Sequence, residues 1–224
     1  MDIIPEIVYE DNHIIAVNKK AGQIVQGDKT GDIPLSEIVK NYIKQKYNKP
    51  GEVFLGVTHR LDRPVSGVVL FARTSKALIR LNKLFKAKET SKTYLAICSV
   101  KPPKDRDRLT DHIYRNTKQN KSYVIDVQNE NTKLAILDYK LIAQSKKYYL
   151  LEINLITGRH HQIRCQLANI GCPIRGDLKY GYSRSNENGA INLHAAEIKL
   201  IHPVKNEELI IKAPLPKEKI WDIF

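Results

Sequence analysis

Extended, β-branched stretches recur along this chain with little helix between them, at Ile7 to Tyr9, His13 to Val17, Val57 to His59, Val68 to Ala72, Thr93 to Val100, Lys133 to Leu141, Tyr148 to Leu155, Ile191 to Ile201 and Glu208 to Ile211. This spacing is what most limits the fold. Parallel neighbours need a crossover of about a dozen residues or more, usually a helix. Most of these stretches follow one another without one, which argues against a doubly wound parallel sheet and for an antiparallel or mixed α+β sheet. No repeat, low-complexity tract or Pro/Ser-rich linker divides the 224 residues, so a single domain is expected.

Helical periodicity is confined to a few places. From Pro34 to Tyr47 the residues Leu35, Ile38, Val39, Tyr42 and Ile43 form an apolar stripe, with Lys40, Lys44 and Lys46 outside it. Thr74 or Ser75 can cap a second helix whose Ala77, Leu78, Leu81, Leu84 and Phe85 face inward. Its outer face carries Lys76, Arg80, Lys83, Lys86 and Lys88, a basic stripe. A third helix is expected from about Arg159 to Ile170, with Thr157 as candidate cap, Ile163, Leu167 and Ile170 as its buried row and Gly171 as its stop. A short amphipathic helix is expected around Lys217 to Phe224.

Charge narrows the partner. Lys and Arg number 37 against 24 Asp and Glu, a formal net charge of +13, the footprint of a protein that binds a polyanion. The longest apolar runs are five or six residues, such as Val68 to Ala72, far short of the roughly 20 a spanning helix requires. The N-terminus MDIIPEIVYED lacks a basic region followed by an apolar core. A cytoplasmic protein with no membrane partner is therefore expected. Cys98, Cys165 and Cys172 form no C-x-x-C pair and suggest buried, reduced thiols rather than a disulfide framework or a zinc site.

Two segments carry candidate chemistry. In His59-Arg60-Leu61-Asp62-Arg63-Pro64-Val65-Ser66-Gly67, Asp62 follows a strand and stands between Arg60 and Arg63, which would keep it ionised. Such a carboxylate fits a nucleophile, and it also fits a structural salt bridge or a turn cap. In Thr157-Gly158-Arg159-His160-His161-Gln162-Ile163-Arg164 a helix start is loaded with cations and invites an anion, while His160 and Arg164 stand four apart on one face. A solvated basic face is the plainer reading of that segment. Adjacent histidines on a helix diverge by about 100 degrees, so His160 and His161 do not suggest a metal pair. Ser66 lacks the preceding glycine of a nucleophile elbow, and no P-loop or G-x-G-x-x-G occurs.

Taken together the segments resemble the RluA-type family of RNA pseudouridine synthases. The opening strand Ile7 to Asp11 and the turn Asn18-Lys19-Lys20-Ala21-Gly22 are similar to the family's first motif. His59 to Gly67 matches H-R-L-D-x-x-[TS]-S-G, Lys92 to Ala96 matches K-x-Y-L-A, and Thr157 to Arg164 matches T-G-R-x-H-Q-I-R. Gly171 to Asp177, Lys179-Tyr180-Gly181, Leu193-His194-Ala195 and His202-Pro203 complete the series, in order, over nearly the whole chain. Departures stand at Lys20, Val65 and Gln166, where the family commonly has proline, threonine and histidine.

The resemblance implies isomerisation of uridine to pseudouridine in structured RNA, ribosomal or transfer, with base flipping and without metal or organic cofactor. It carries over Asp62 as nucleophile, Tyr94 as the ring against the target base, Arg164 as the partner orienting the carboxylate, Ile163 as an apolar wall and Arg60 as the side chain filling the vacated space. Attack at C6 of the base, attack at C1′ of the sugar, and proton abstraction at C2′ to give a glycal all remain open. The implied fold is α+β: a bent, mostly antiparallel mixed sheet flanked by helices, with a central RNA-binding cleft between two subdomains that share the sheet. Residues 1–224 would be one catalytic domain without an S4 domain, acting on RNA and not DNA, as a monomer. RNA contacts are expected on the helix Lys76 to Lys88 and on loops Lys101 to Arg108 and Arg115 to Lys121. The alternative is a non-catalytic RNA-binding or ribosome-assembly protein on the same fold.

Overall fold

A computed structural model of the chain describes residues 4–224. It divides into two compact units, one of Met1–Thr90 with Ala195–Leu215 and one of Ser91–His194 with Pro216–Phe224.

In the first unit the strands are β1 (Ile7–Glu10), β2 (Ile14–Lys19), β3 (Gly56–Val57), β4 (Ser66–Ala72), most of β10 (Leu193–Ile201) and β11 (Glu208–Lys212), with helices α1 (Leu35–Lys46) and α2 (Ser75–Ala87). The order is β1-β2-β4-β10, with β3 added to β4 and β11 to β10. β2 and β4 run antiparallel from Ile14↔Ala72 to Lys19↔Gly67. Every residue of β4 is buried, as are Ile14 to Val17 of β2. Strands covered on both faces read as unbroken apolar runs, which explains why Val68 to Ala72 shows no alternation.

The two helices of this unit follow the sequence pattern. α1 buries Leu35, Ile38, Val39 and Ile43, while Tyr42 stays half-buried and donates its hydroxyl to Glu10. α2 is capped by Thr74, whose Oγ1 accepts the Ala77 N–H at 3.2 Å. It ends at Lys88 in a left-handed conformation whose N–H reaches the carbonyls of Leu84 and Phe85.

In the second unit the strands are β5 (Ser91–Cys98), β6 (Arg106–Asn116), β7 (Lys121–Ile125), β8 (Thr132–Gln144) and β9 (Tyr149–Leu155), in the antiparallel order β5-β9-β8-β6-β7. The sheet alternates: in β9 Leu151, Ile153 and Leu155 are buried while Glu152 and Asn154 are exposed. Helix α3 (Gln162–Asn169) packs on β6 and β7, and Cys165 joins Ile113, Ala135 and Tyr180 in one apolar cluster. All three cysteines are buried and free. No helix among the described residues is long and apolar enough to cross a membrane.

Three expectations are corrected. The expected basic loops at 101–108 and 115–121 are shorter than the sequence suggests, confined to 101–105 and 117–120, because β6 and β7 form a hairpin that takes in their ends. Its strands are dense in charge, and only Leu109 and Ile113 of β6 are buried apolar anchors. The C-terminal segment is a series of turns, with Glu218 N–H on Pro216 O and Trp221 N–H on Glu218 O, because so short a piece does not outweigh the cost of helix nucleation. Trp221 nonetheless buries against Ile97 and Leu150. Third, α3 starts at Gln162 rather than near Arg159, and Thr157 does not cap it.

Candidate active site

Between β3 and β4 the segment from Thr58 to Val65 has no regular structure, and Leu61 and Val65 anchor it in the core with Asp62 half-buried between them. The Val65 N–H closes a turn on the Asp62 carbonyl at 3.1 Å. Upstream, the Leu70 N–H donates to His59 Nε2 at 3.0 Å and the Thr58 hydroxyl donates to the Leu70 carbonyl, so this flank of the loop is tied to β4. At the far end Gly67 adopts φ +117, and a Cβ there would lie 2.3 Å from the Ala195 carbonyl oxygen. Only glycine permits that approach.

Beneath the loop lies Lys19, fully buried at 0% exposure. Its Nζ donates to the carbonyls of Gln23 at 2.8 Å, Lys20 at 3.0 Å and Arg63 at 3.2 Å. Burial pushes its pKa down to about 7, the Asp62 charge opposes that shift, and Arg63 adds to it. Three carbonyl acceptors match the three N–H groups of an ammonium. Of the two arginines that flank Asp62 in the sequence, Arg63 donates from its side chain to Asp32 and Thr30. Lys19, buried in the same unit, interacts electrostatically with Asp62. Arg60 is exposed.

The other sequence-predicted residues belong to the second unit. Tyr94 is 8% exposed in β5 and pairs with Ile153 of β9. Two residues earlier on that strand, Lys92 lies with its Nζ 3.6 Å from where a Cβ on Gly158 would be, and burial lowers its pKa. Ile163 and Arg164 are buried in the first turn of α3.

The entry to α3 is built from side chains. Gln162 Oε1 accepts from the Thr157 hydroxyl at 2.8 Å and the Arg159 N–H at 3.0 Å, and the Arg159 side chain donates to the Leu134 carbonyl. His161 takes a left-handed conformation at φ 53, which turns the chain into the helix. Its pKa falls to about 2, first through burial and then through Arg164 and other nearby cations, and its Nδ1 shares a hydrogen bond with the Tyr180 hydroxyl at 3.0 Å. That hydroxyl in turn accepts the Ser122 N–H at 2.8 Å. His160 stacks on His161 at 3.8 Å and meets Ser122 Oγ at 2.8 Å. It precedes the helix, so the expected i, i+4 relation with Arg164 does not hold.

Arg164 has a partner the sequence did not suggest. Its Nε donates to Asp177 Oδ2 at 2.7 Å and its Nη2 to Asp177 Oδ1 at 2.8 Å, with the two side chains 5% and 1% exposed. The guanidinium also lies 5.1 Å from the centre of the Tyr180 ring. Sequence reading named Asp177 and Lys19 only inside matching stretches. A lysine ending the apolar run Ile14 to Val17 and a carboxylate in a Gly-Asp turn were the available signals, and neither reveals its partner.

Comparison with known proteins gives the family. The family model described as RNA pseudouridylate synthase matches residues 13–169. Ribosomal large subunit pseudouridine synthase C of Rickettsia bellii is 36% identical over 212 residues, covering 94% of this chain and 68% of that protein. tRNA pseudouridine synthase C of Vibrio parahaemolyticus is 31% identical over 231 residues, covering 94% and 90%. Human RNA pseudouridylate synthase domain containing 4 superposes with a TM-score of 0.79 over 95% of this chain and 89% of that one at 23% identity, which shows a shared fold. The chain belongs to the RNA pseudouridylate synthase family, of RluA type, and is an RNA pseudouridine synthase.

Proposed function

We propose that the enzyme isomerises specific uridines in structured ribosomal or transfer RNA, the substrates named for its relatives, with Asp62 as the nucleophile and without a cofactor. The observation that carries this reading is the construction of the Asp62 loop. A half-buried carboxylate sits on a segment anchored by Leu61 and Val65, followed by Gly67 in close approach to Ala195 and underpinned by the buried Lys19. An anionic carboxylate held in a fixed direction and partly shielded from water suits nucleophilic attack.

The remaining roles rest on the resemblance in the matched segments. A uridine paired or stacked in RNA leaves the stack at a cost of about a few kcal/mol. Arg60, exposed and cationic, fills the space it leaves. Tyr94 offers the flipped base a stacking face worth roughly 1–3 kcal/mol, and Ile163 forms an apolar wall. Arg164 orients the nucleophile by charge-assisted hydrogen bonding. C6 attack, C1′ attack and the glycal route share the same requirement for a carboxylate at position 62.

Asp62→Asn tests the reading because it preserves shape while removing charge and nucleophile. The purified variant is expected to bind ribosomal and transfer RNA with wild-type affinity and to form no pseudouridine. Mapping pseudouridine in total RNA from cells lacking the gene, complemented with each form, names the sites. Wild-type turnover by the asparagine variant would rule out Asp62 as nucleophile.

A further inference from the structure

Arg164 and Asp177 form a buried ion pair. A guanidinium presents its donors in a rigid planar fork. Here the edge formed by Nε and Nη2 is taken up by both oxygens of Asp177, at 2.7 and 2.8 Å. A bidentate contact of this kind fixes rotation within the guanidinium plane. The Tyr180 ring, 5.1 Å away, bounds the plane from one face.

Asp177 and Tyr180 are themselves immobilised. Asp177 leads a 3-10 turn, Leu178–Tyr180, its N–H on the Ile174 carbonyl and its own carbonyl accepting from Tyr180 and Tyr182 at 3.1 Å each. The preceding Gly176 has φ +86 and leaves no room for a Cβ, which would fall 2.7 Å from the Ala190 carbonyl oxygen. Tyr180 is held through its hydroxyl by Ser122 and His161. One turn thus grips the start of α3 at two points, Arg164 in its first turn through Asp177 and His161 just before it through Tyr180.

Burying an ion pair seldom adds stability, because desolvation offsets the attraction, and well-packed apolar residues often serve as well. Its distinctive effect is directional. Resting on the proposed function, we infer that Asp177 is a positioning residue: it fixes the Arg164 guanidinium so that the donors not engaged by Asp177 point in one direction, and it contributes to the reaction through Arg164 without touching RNA.

The test uses the full chain. Asp177→Asn keeps the shape but puts an NH2 donor where one acceptor oxygen faced the guanidinium, which breaks the paired contact, and kcat for pseudouridine formation is expected to fall about 10- to 100-fold, the scale of a misplaced catalytic group, while KM and RNA affinity stay at wild type. In an Arg164→Lys background, where no fork remains to be aimed, the same substitution is expected to leave the residual kcat unchanged. An unaltered kcat in the single variant, or an equal loss in the lysine background, would overturn the inference.

Should Asp177→Asn not fold, nitrogen-15 NMR of the unaltered chain decides. The Arg164 Nε–H, assigned by its absence in Arg164→Lys, is expected to exchange slowly with solvent and to show hindered rotation about Nε–Cζ, and free rotation would refute the inference. If the unaltered chain forms no pseudouridine on either RNA, the proposed function fails by itself, and the same NMR measurement still decides whether Arg164 is fixed.

Discussion

Gly67 and Gly22 both have positive φ, at +117 and +89, yet their surroundings differ. A Cβ at 67 would meet the Ala195 oxygen, nitrogen and carbonyl carbon at 2.3, 2.5 and 2.7 Å, whereas nothing lies within 4 Å of one at 22. Gly67→Ala is therefore expected to cost about 3 kcal/mol or more, from backbone strain plus a clash with rigid main chain. Gly22→Ala, bearing only the strain, is expected to cost about 1 kcal/mol. Urea unfolding of the two variants separates the contributions, and equal losses would contradict the clash.

Asp11 sets an acid limit in the same unit. Burial alone would raise its pKa, but the N–H groups of His13 and Ile14, at 2.8 and 2.9 Å, together with His202 and the Tyr9 hydroxyl, hold it at about 2 against an ordinary 3.8. A depressed carboxyl pKa contributes stability that is present above the unfolded value and lost as pH falls through the folded one. Wild-type stability is expected to drop between pH 4 and 2 more steeply than that of Asp11→Asn, as urea midpoints across that window would report. Parallel slopes would show that other carboxylates dominate.

Among the elements, α2 has the clearest outward role. It contains no acidic residue, and Lys76, Lys83 and Lys86 are exposed on it, while Arg80 is turned back to the Pro203 carbonyl at 2.7 Å. Exposed cations along one helix suit RNA phosphates. Replacing Lys83 and Lys86 by Gln is expected to weaken binding for all RNA sequences alike and to lower the slope of log affinity against log salt by roughly 0.7–0.9 per phosphate contact removed. Turnover at saturating RNA should hold. An unchanged slope would take α2 out of the RNA surface.

Elements were legible in proportion to how far their burial is local. α1 and α2 each have an apolar stripe and lie within a residue or two of the expected bounds, and Thr74 caps α2 as its side chain allows. The start of α3 was not legible, because it is set by Gln162 receiving bonds from Thr157 and Arg159 and by His161 in a left-handed turn. Neither is a cap that local composition announces. The β6–β7 hairpin escaped for a related reason: its pairing with β8, from Arg106↔Lys140 to Tyr114↔Thr132, orders strands whose own residues are mostly polar.

At the scale of the molecule, the succession of apolar runs without intervening helices by itself determined an α+β, largely antiparallel protein, because side-chain periodicity and crossover length are properties of the linear chain. The same linear order held the family's motifs, and with them Asp62, Tyr94, Ile163 and Arg164 as candidates. Tertiary structure alone decided which charges meet. Arg63, adjacent to Asp62, turns to Asp32; Lys19, 43 positions away in the chain, lies beneath the loop; and Arg164 closes on Asp177. Ion pairs are selected by direction and burial, which depend on where the backbone carries each side chain, and the separation of residues along the sequence does not encode that.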